Sequence, residues 1–436
     1  LVLATSIAGL AAAIEIASVG LQVRVLVPSP EGLSPAGVVR DGSGALAALV
    51  AELGDAPPAL RDVPAGRTLL RAKSGALRPV PADSVFGIPS SPLAREVSAL
   101  IGSGGAFRAY IDRLRPVLTI GKERFLGPLV RSRLGLAVAE RLVGPLIRER
   151  YGVGPDEVEV AVAVPGLNEA LTRVGSLSGG VLDVAADSVA RETPVLPEGG
   201  WPVLITALRD RLDFFQAETV LADLAHAADN PDVRYRWSIR DSEGGEHLAR
   251  ALVTEADPAG VTGGPFAAPA ARTTRTYAEF RMGAGVLAPE AAAALEAEPR
   301  GELLETLRAG SGADWSLRIV GGAHPRARLS GPRDSLGHVV TDAELRAVLA
   351  GSTLLASDPA AAAIVQDVPL RRWTEPAPEL SRDDAQHRAA ELAAAREARP
   401  ERLAVGEAVS GPGLSSAVAD ARAAAVPLRR RLAGIA

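Results

Sequence analysis

The first chemistry-bearing pattern stands at the start of the chain. An apolar run, Leu1-Val2-Leu3, leads through Ala4-Thr5-Ser6-Ile7-Ala8-Gly9 into Leu10-Ala11-Ala12-Ala13. That is the layout of a strand, a tight turn and a helix. A turn of the form G-x-G-x-x-G at such a place lays backbone amides and the positive end of a helix against a pyrophosphate. Here the turn reads Ala4-x-Ser6-x-x-Gly9. The two Cβ atoms crowd the approach to phosphate, although Ala and Ser are the mildest intrusions and Gly9 still allows close helix–strand packing. A site of this kind also places an acid at the end of its second strand, to accept hydrogen bonds from ribose hydroxyls. Gln22–Val27 reads as that strand, and Val27 holds the acid's position. Losing that carboxylate removes a charge-assisted hydrogen bond of roughly 1.5–3 kcal/mol.

Other chemistries have less support. The chain has no Cys, which excludes disulfides, thiol nucleophiles and thiolate metal sites and fits a reducing cytoplasm. Its five His (His226, His247, His324, His338 and His387) stand far apart, with no H-x-x-H spacing, so no metal is expected. A net charge of −5 gives no electrostatic footprint for nucleic acid. The most apolar stretch, Leu1–Val19, carries Glu15 and reads as strand plus helix rather than as a membrane span. No basic segment precedes it, so no signal peptide is expected. The chain begins with Leu and its only Met is Met282, which points to a start upstream or at an unusual codon. The basic run Arg429–Arg431 could approach anionic lipid, but a solvated C-terminal helix is the better reading.

At 436 residues the chain has length for two or three domains or lobes. Strands are expected at Leu1–Leu3, Gln22–Val27, Asp232–Ile239, Leu252–Ala256, Thr276–Arg281, Ser316–Val320 and Leu403–Val405. Helices are expected at Gly9–Ser18, Gly44–Gly54, Gly199–Leu212, Thr341–Gly351, Arg382–Arg396 and from Ser415 to Arg431. Between Pro92 and Tyr151 the period is helical over Arg95–Ile101, Ala106–Val117 and Lys122–Arg150, an insertion of about 60 residues. Gly260–Ala271 reads as a loop. A βαβ start and a strand–Gly-turn–helix end could meet one cofactor at the carboxyl ends of a doubly wound sheet.

Several stretches carry a family resemblance, in order and spacing over most of the chain. They include Gly87-Ile88-Pro89-Ser90-Ser91-Pro92-Leu93, Arg108-Ala109-Tyr110-Ile111-Asp112-Arg113-Leu114, Leu129-Val130-Arg131-Ser132-Arg133-Leu134-Gly135 and Pro165-Gly166-Leu167-Asn168-Glu169-Ala170-Leu171. Glu198-Gly199-Gly200-Trp201-Pro202 and Gly406-Glu407-Ala408-Val409-Ser410-Gly411-Pro412-Gly413-Leu414 complete the set. Together they resemble the actinobacterial protoporphyrinogen and coproporphyrinogen oxidases, FAD-dependent members of the monoamine oxidase-like flavoproteins.

The resemblance implies an α/β chain: a Rossmann-like, doubly wound FAD-binding domain, a mixed-sheet substrate domain and a helical insertion lobe. It implies FAD-binding parts at 1–60, 181–260 and 373–436, substrate-domain parts at 61–95 and 261–372, and the lobe at 96–180. The implied activity is oxidation of a porphyrinogen by FAD and oxygen in haem biosynthesis, in the cytoplasm, with a homodimer or a haem-pathway partner as open assemblies. Ser6, Gly9, Val220, Trp373, Gly406, Pro412, Gly413 and Leu414 fall on its cofactor-binding positions. Arg108 and Arg173, with Arg115 and Arg131, are candidates for substrate propionates; taken singly, each reads better as a solvated helix Arg. Trp373 reads equally as packing.

Most departures fall on the cofactor's adenine and ribose side: Ala4 and Ser6, Val27, and a turn at Glu31–Pro35 with one Gly; a fourth is a loop against the flavin, missing between Pro35 and Gly44. A further gap stands between Gly301 and Ala309, where the family has a strand. Two main readings follow: a working oxidase, or a flavin-free relative acting as a binding or regulatory protein or a decayed copy. An oxidase of an amine or carotenoid on the same fold is a third.

Overall fold

The computed structural model describes the chain except residues 30–32, 36–38, 55–56, 64–65, 116–122, 233, 256–272, 322–324, 335–338 and 436. It divides into two compact units. The first comprises residues 1–64, 190–272 and 386–436, the second residues 65–189 and 273–385.

The first unit is built on short strands that are mostly apolar and buried, as a parallel sheet covered on both faces requires, with Arg24, Glu218, Thr219, Thr254 and Arg402 as their polar members. Strand β1 (Val2–Leu3) pairs in parallel with β2 (Arg24–Leu26) on one side and with Leu252–Thr254 on the other. Glu218–Val220 extends the sheet beyond β2, and Arg402–Ala404 extends it beyond Leu252–Thr254. Numbered along the chain, the spatial order is 3-2-1-4-5. That is the doubly wound arrangement, and its order reverses between β1 and Leu252–Thr254.

Helix α1 (Ile7–Ala17) follows β1, and every residue in it except Glu15 is buried. It packs against the C-terminal helix Leu414–Leu432. Ala8, Ala11, Ala12 and Ala13 on α1, and Ala417, Ala421 and Ala425 on its partner, are all fully buried, so small side chains let the axes approach. Glu15 also finds its role here: Arg422 Nε donates to it at 3.2 Å and Arg429 Nη1 at 2.5 Å. The basic C-terminal run is thus tied, at Arg429, to the lone acid of the apolar N-terminal stretch.

The second unit centres on a seven-stranded mixed sheet. Its order is Arg371–Pro376, Thr274–Arg281, Arg326–Asp334, Asp314–Val320, Glu302–Arg308, Thr68–Arg71 and Leu77–Pro79. All neighbours are antiparallel except the parallel pair Glu302–Arg308 and Thr68–Arg71. Helices follow from Arg95 onward, and their buried residues share a core with Leu70 and Leu304 of the sheet.

Three expectations change. The strand expected at Asp232–Ile239 is Trp237–Asp241. Before it, Asn230 accepts from the Asp232 amide at 3.0 Å and Asp232 accepts from the Arg234 amide at 2.9 Å, local turns that compete with a ladder. The strand expected at Leu252–Ala256 ends at Thr254, because Glu255 turns toward α1. The expected gap between Gly301 and Ala309 holds the strand Glu302–Arg308, in a hairpin with Asp314–Val320. The Gly260–Ala271 loop and Val117 lie outside the described residues.

The buried alanines of the two helices make a direct prediction. Ala421→Leu should cost about 1–3 kcal/mol by overpacking, read as a lower midpoint in denaturant titration.

Candidate functional site

The turn after β1 places its polar groups at the sheet's switch point. Ser6 is the N-cap of α1, with extended backbone, and its Oγ accepts from the Ala8 amide at 3.1 Å. The first turn of any α-helix leaves amides without intrahelical partners, so an acceptor must be found for them. The carboxylate of Glu255, the residue after Leu252–Thr254, supplies it. Gly9 N donates to Glu255 Oε1 at 2.7 Å and Ser6 Oγ to the same oxygen at 2.5 Å. Thr5 donates to Oε2 through both its amide and its hydroxyl. Both carboxylate oxygens are therefore engaged, at the helix end where negative charge is favoured.

Glycine makes the fit possible. A Cβ on Gly9 would stand 2.8 Å from Ala4 Cα and 3.1 Å from Glu255 Cδ. Gly406, at φ +91°, faces the same side chain, and a Cβ there would stand 3.3 Å from Glu255 Cβ. Three expected cofactor positions, Ser6, Gly9 and Gly406, thus converge, and they converge on an acidic side chain of the chain itself.

The other expected positions lie elsewhere or do other things. Val220 pairs with Leu26, and its carbonyl accepts from the Val27 amide at 2.9 Å. Val27 itself is 3% exposed and offers no acceptor side chain beyond the end of β2. Gly413 is the N-cap of the C-terminal helix at φ +109°, and its amide donates to Glu407 at 3.0 Å. Pro412 precedes it, and Leu414 is buried in the core of the first unit. In the second unit, Trp373 stacks on Tyr277 with centroids 5.6 Å apart, and its Nε1 donates to Glu375 at 2.6 Å.

The expected substrate arginines already have partners. Arg108 donates to the carbonyls of Ser132 and Arg133, each at 3.0 Å, and so caps the helix Leu126–Leu134. Arg173 pairs with Asp183, Arg131 with Asp156, and Arg115 donates to the Ser132 carbonyl.

Two features of the structure escaped sequence reasoning. One is Glu255, whose partners lie about 250 residues away in sequence. The available signal was an acid directly after an apolar strand, at the carboxyl edge of the sheet. The other is Arg275, 1% exposed, which donates to the carbonyls of Gly331, Glu149 and Arg150 at 2.8–3.0 Å. Burial holds its guanidinium below the ordinary arginine range and pushes the Tyr277 phenol up. Among the described residues no group of His, Asp and Glu is placed to hold a metal, and no helix is long and apolar enough to cross a membrane.

The sequence matches no protein-family model and no curated protein. Solved structures match it over nearly its whole length. A provisionally named protoporphyrinogen oxidase from Exiguobacterium sp. 255-15 superposes with a TM-score of 0.64 at 17% identity, covering 98% of each chain. Reduced UDP-galactopyranose mutase gives 0.53 at 12% identity, covering 100% of this chain and 95% of that one. A putrescine oxidase redesigned in its cofactor binding gives 0.50 at 12% identity, over 98% and 97%. At these identities the likeness is one of fold. The chain has the mixed α/β fold of these amine- and protoporphyrinogen-oxidase structures, with its five-stranded sheet parallel and its seven-stranded sheet mixed.

The packing at the turn is testable. Gly9→Ala should cost about 1–3 kcal/mol, because its Cβ meets backbone at Ala4. Ser6→Ala should cost about 0.5–2 kcal/mol through the lost cap. Denaturant titration checks both.

Proposed function

We propose that this chain is a flavin-free relative of the flavoprotein oxidases, a binding or regulatory protein built on an oxidase fold. The observation that carries the reading is the Glu255 carboxylate on the N-terminus of α1. A pyrophosphate bound in the doubly wound manner would need those same amides and hydroxyls. They are spent on an internal anion, and a second anion there would meet like charge in a half-buried place. Val27 adds to this by giving an adenosine ribose no acceptor side chain. The residues present therefore do not fit FAD as they stand.

A second reading keeps the family activity: FAD-dependent oxidation of a porphyrinogen by oxygen. It is supported by the turn at 406–414, where Gly406 and Gly413 hold positive φ, and by a fold shared along the chain with the Exiguobacterium structure. That support concerns the flavin-side turn and the scaffold. It leaves the α1 turn, on which the first reading rests, as it is.

The two readings separate in one spectrum. The purified protein, incubated with excess FAD and dialysed, should show no flavin bands in the near ultraviolet and blue. Retained flavin would overturn the flavin-free reading, and porphyrinogen oxidation by the yellow protein would then establish the second.

A further inference from the structure

The chain's own carboxylate behaves toward α1 as a bound anion would. We infer that Glu255 is a resident anion, the side chain that closes an otherwise intact phosphate seat. The inference deepens the flavin-free reading and rests on it.

Three observations support it. First, the seat is complete as a donor set. Two backbone amides, of Thr5 and Gly9, and two hydroxyls, of Thr5 and Ser6, point at one two-oxygen anion. A turn that had merely decayed would have no reason to keep these donors convergent. Second, the side chain is seated between two glycines. Gly9 comes close to its Cδ, and Gly406 comes close to its Cβ and Cγ. A methyl group at either position would press on Glu255, so both glycines now serve the acid. Third, Glu255 stands at the carboxyl end of the strand next to β1, in the gap where the strand order reverses. Crevices of this kind are where doubly wound sheets take their ligands.

The consequence is specific. With the carboxylate removed, the donors lose their partner and the notch between Gly9 and Gly406 opens. The seat then suits a phosphate or diphosphate group, which presents several acceptor oxygens and favours a helix N-terminus. Val27 offers no acceptor beside it, so the opened seat reads the phosphate and not an attached ribose. Inorganic pyrophosphate is therefore the appropriate probe.

Calorimetric titration of the full chain with pyrophosphate tests this, using wild type, Glu255→Ala and Glu255→Gln. Glu255→Ala should gain affinity by about tenfold or more over wild type, and Glu255→Gln, which removes the charge but leaves the notch filled, should gain less. Adding Ser6→Ala to either should lose most of the gain. Circular dichroism identifies a variant that fails to fold, in which case the other answers. The wild type gives an independent reading: its Gly9 amide resonance should not move when pyrophosphate is added. Folded variants with no gain, a gain indifferent to Ser6→Ala, or a Gly9 resonance that shifts in wild type would each overturn the inference. None of these results requires wild type to bind FAD, whereas flavin retained by wild type would overturn the underlying reading instead.

Discussion

The contact between the Glu255 carboxylate and the first turn of α1 organises the candidate site of the first unit. Helix ends leave amides that must find acceptors, and they carry partial positive charge. In a doubly wound sheet the end of the first helix lies at the place where strand order reverses. An anion there is favoured, and this chain provides one from its own Glu255 side chain. Thr5, Ser6 and Gly9 supply the donors, and Gly406 clears the space beside the acid.

The surrounding packing holds that contact in place. The buried alanines of α1 and of the C-terminal helix set those two axes close together, and Glu15 locks them through Arg422 and Arg429. Short parallel strands then fix where β1 ends and where Leu252–Thr254 ends, two residues and one residue respectively before the groups that meet. The fold shared with the oxidase structures thus carries, at the end of its first strand, a helix turn occupied by the chain's own carboxylate. The second unit has its own fixed points. Arg275 satisfies backbone carbonyls on one helix and one strand from inside the sheet.

Much of the first unit was legible in the sequence because its elements are local. The apolar runs at Leu1–Leu3, Val23–Val27 and Leu403–Val405 form one parallel sheet, although Leu252–Thr254 stands between the first and the last. Ser6 and Gly9 were legible as a helix-start turn because their spacing is local, and Gly406 only through the resemblance carried by its own Gly-rich turn. Glu255 was not, since it reaches Gly9 across 246 residues and no spacing rule joins them. The partners of the helix arginines were not legible either, because the carbonyl caps of Arg108 and the Asp183 partner of Arg173 follow from no local spacing rule. The strand Glu302–Arg308 was missed because, without clear alternation, it reads like the helical segment before it.

The most direct measurement of the central claim is an experimental structure of the purified protein grown with excess FAD. The account predicts the Glu255 carboxylate within hydrogen-bond distance of the Thr5 and Gly9 amides. A pyrophosphate on those amides, with Glu255 turned aside, would contradict it.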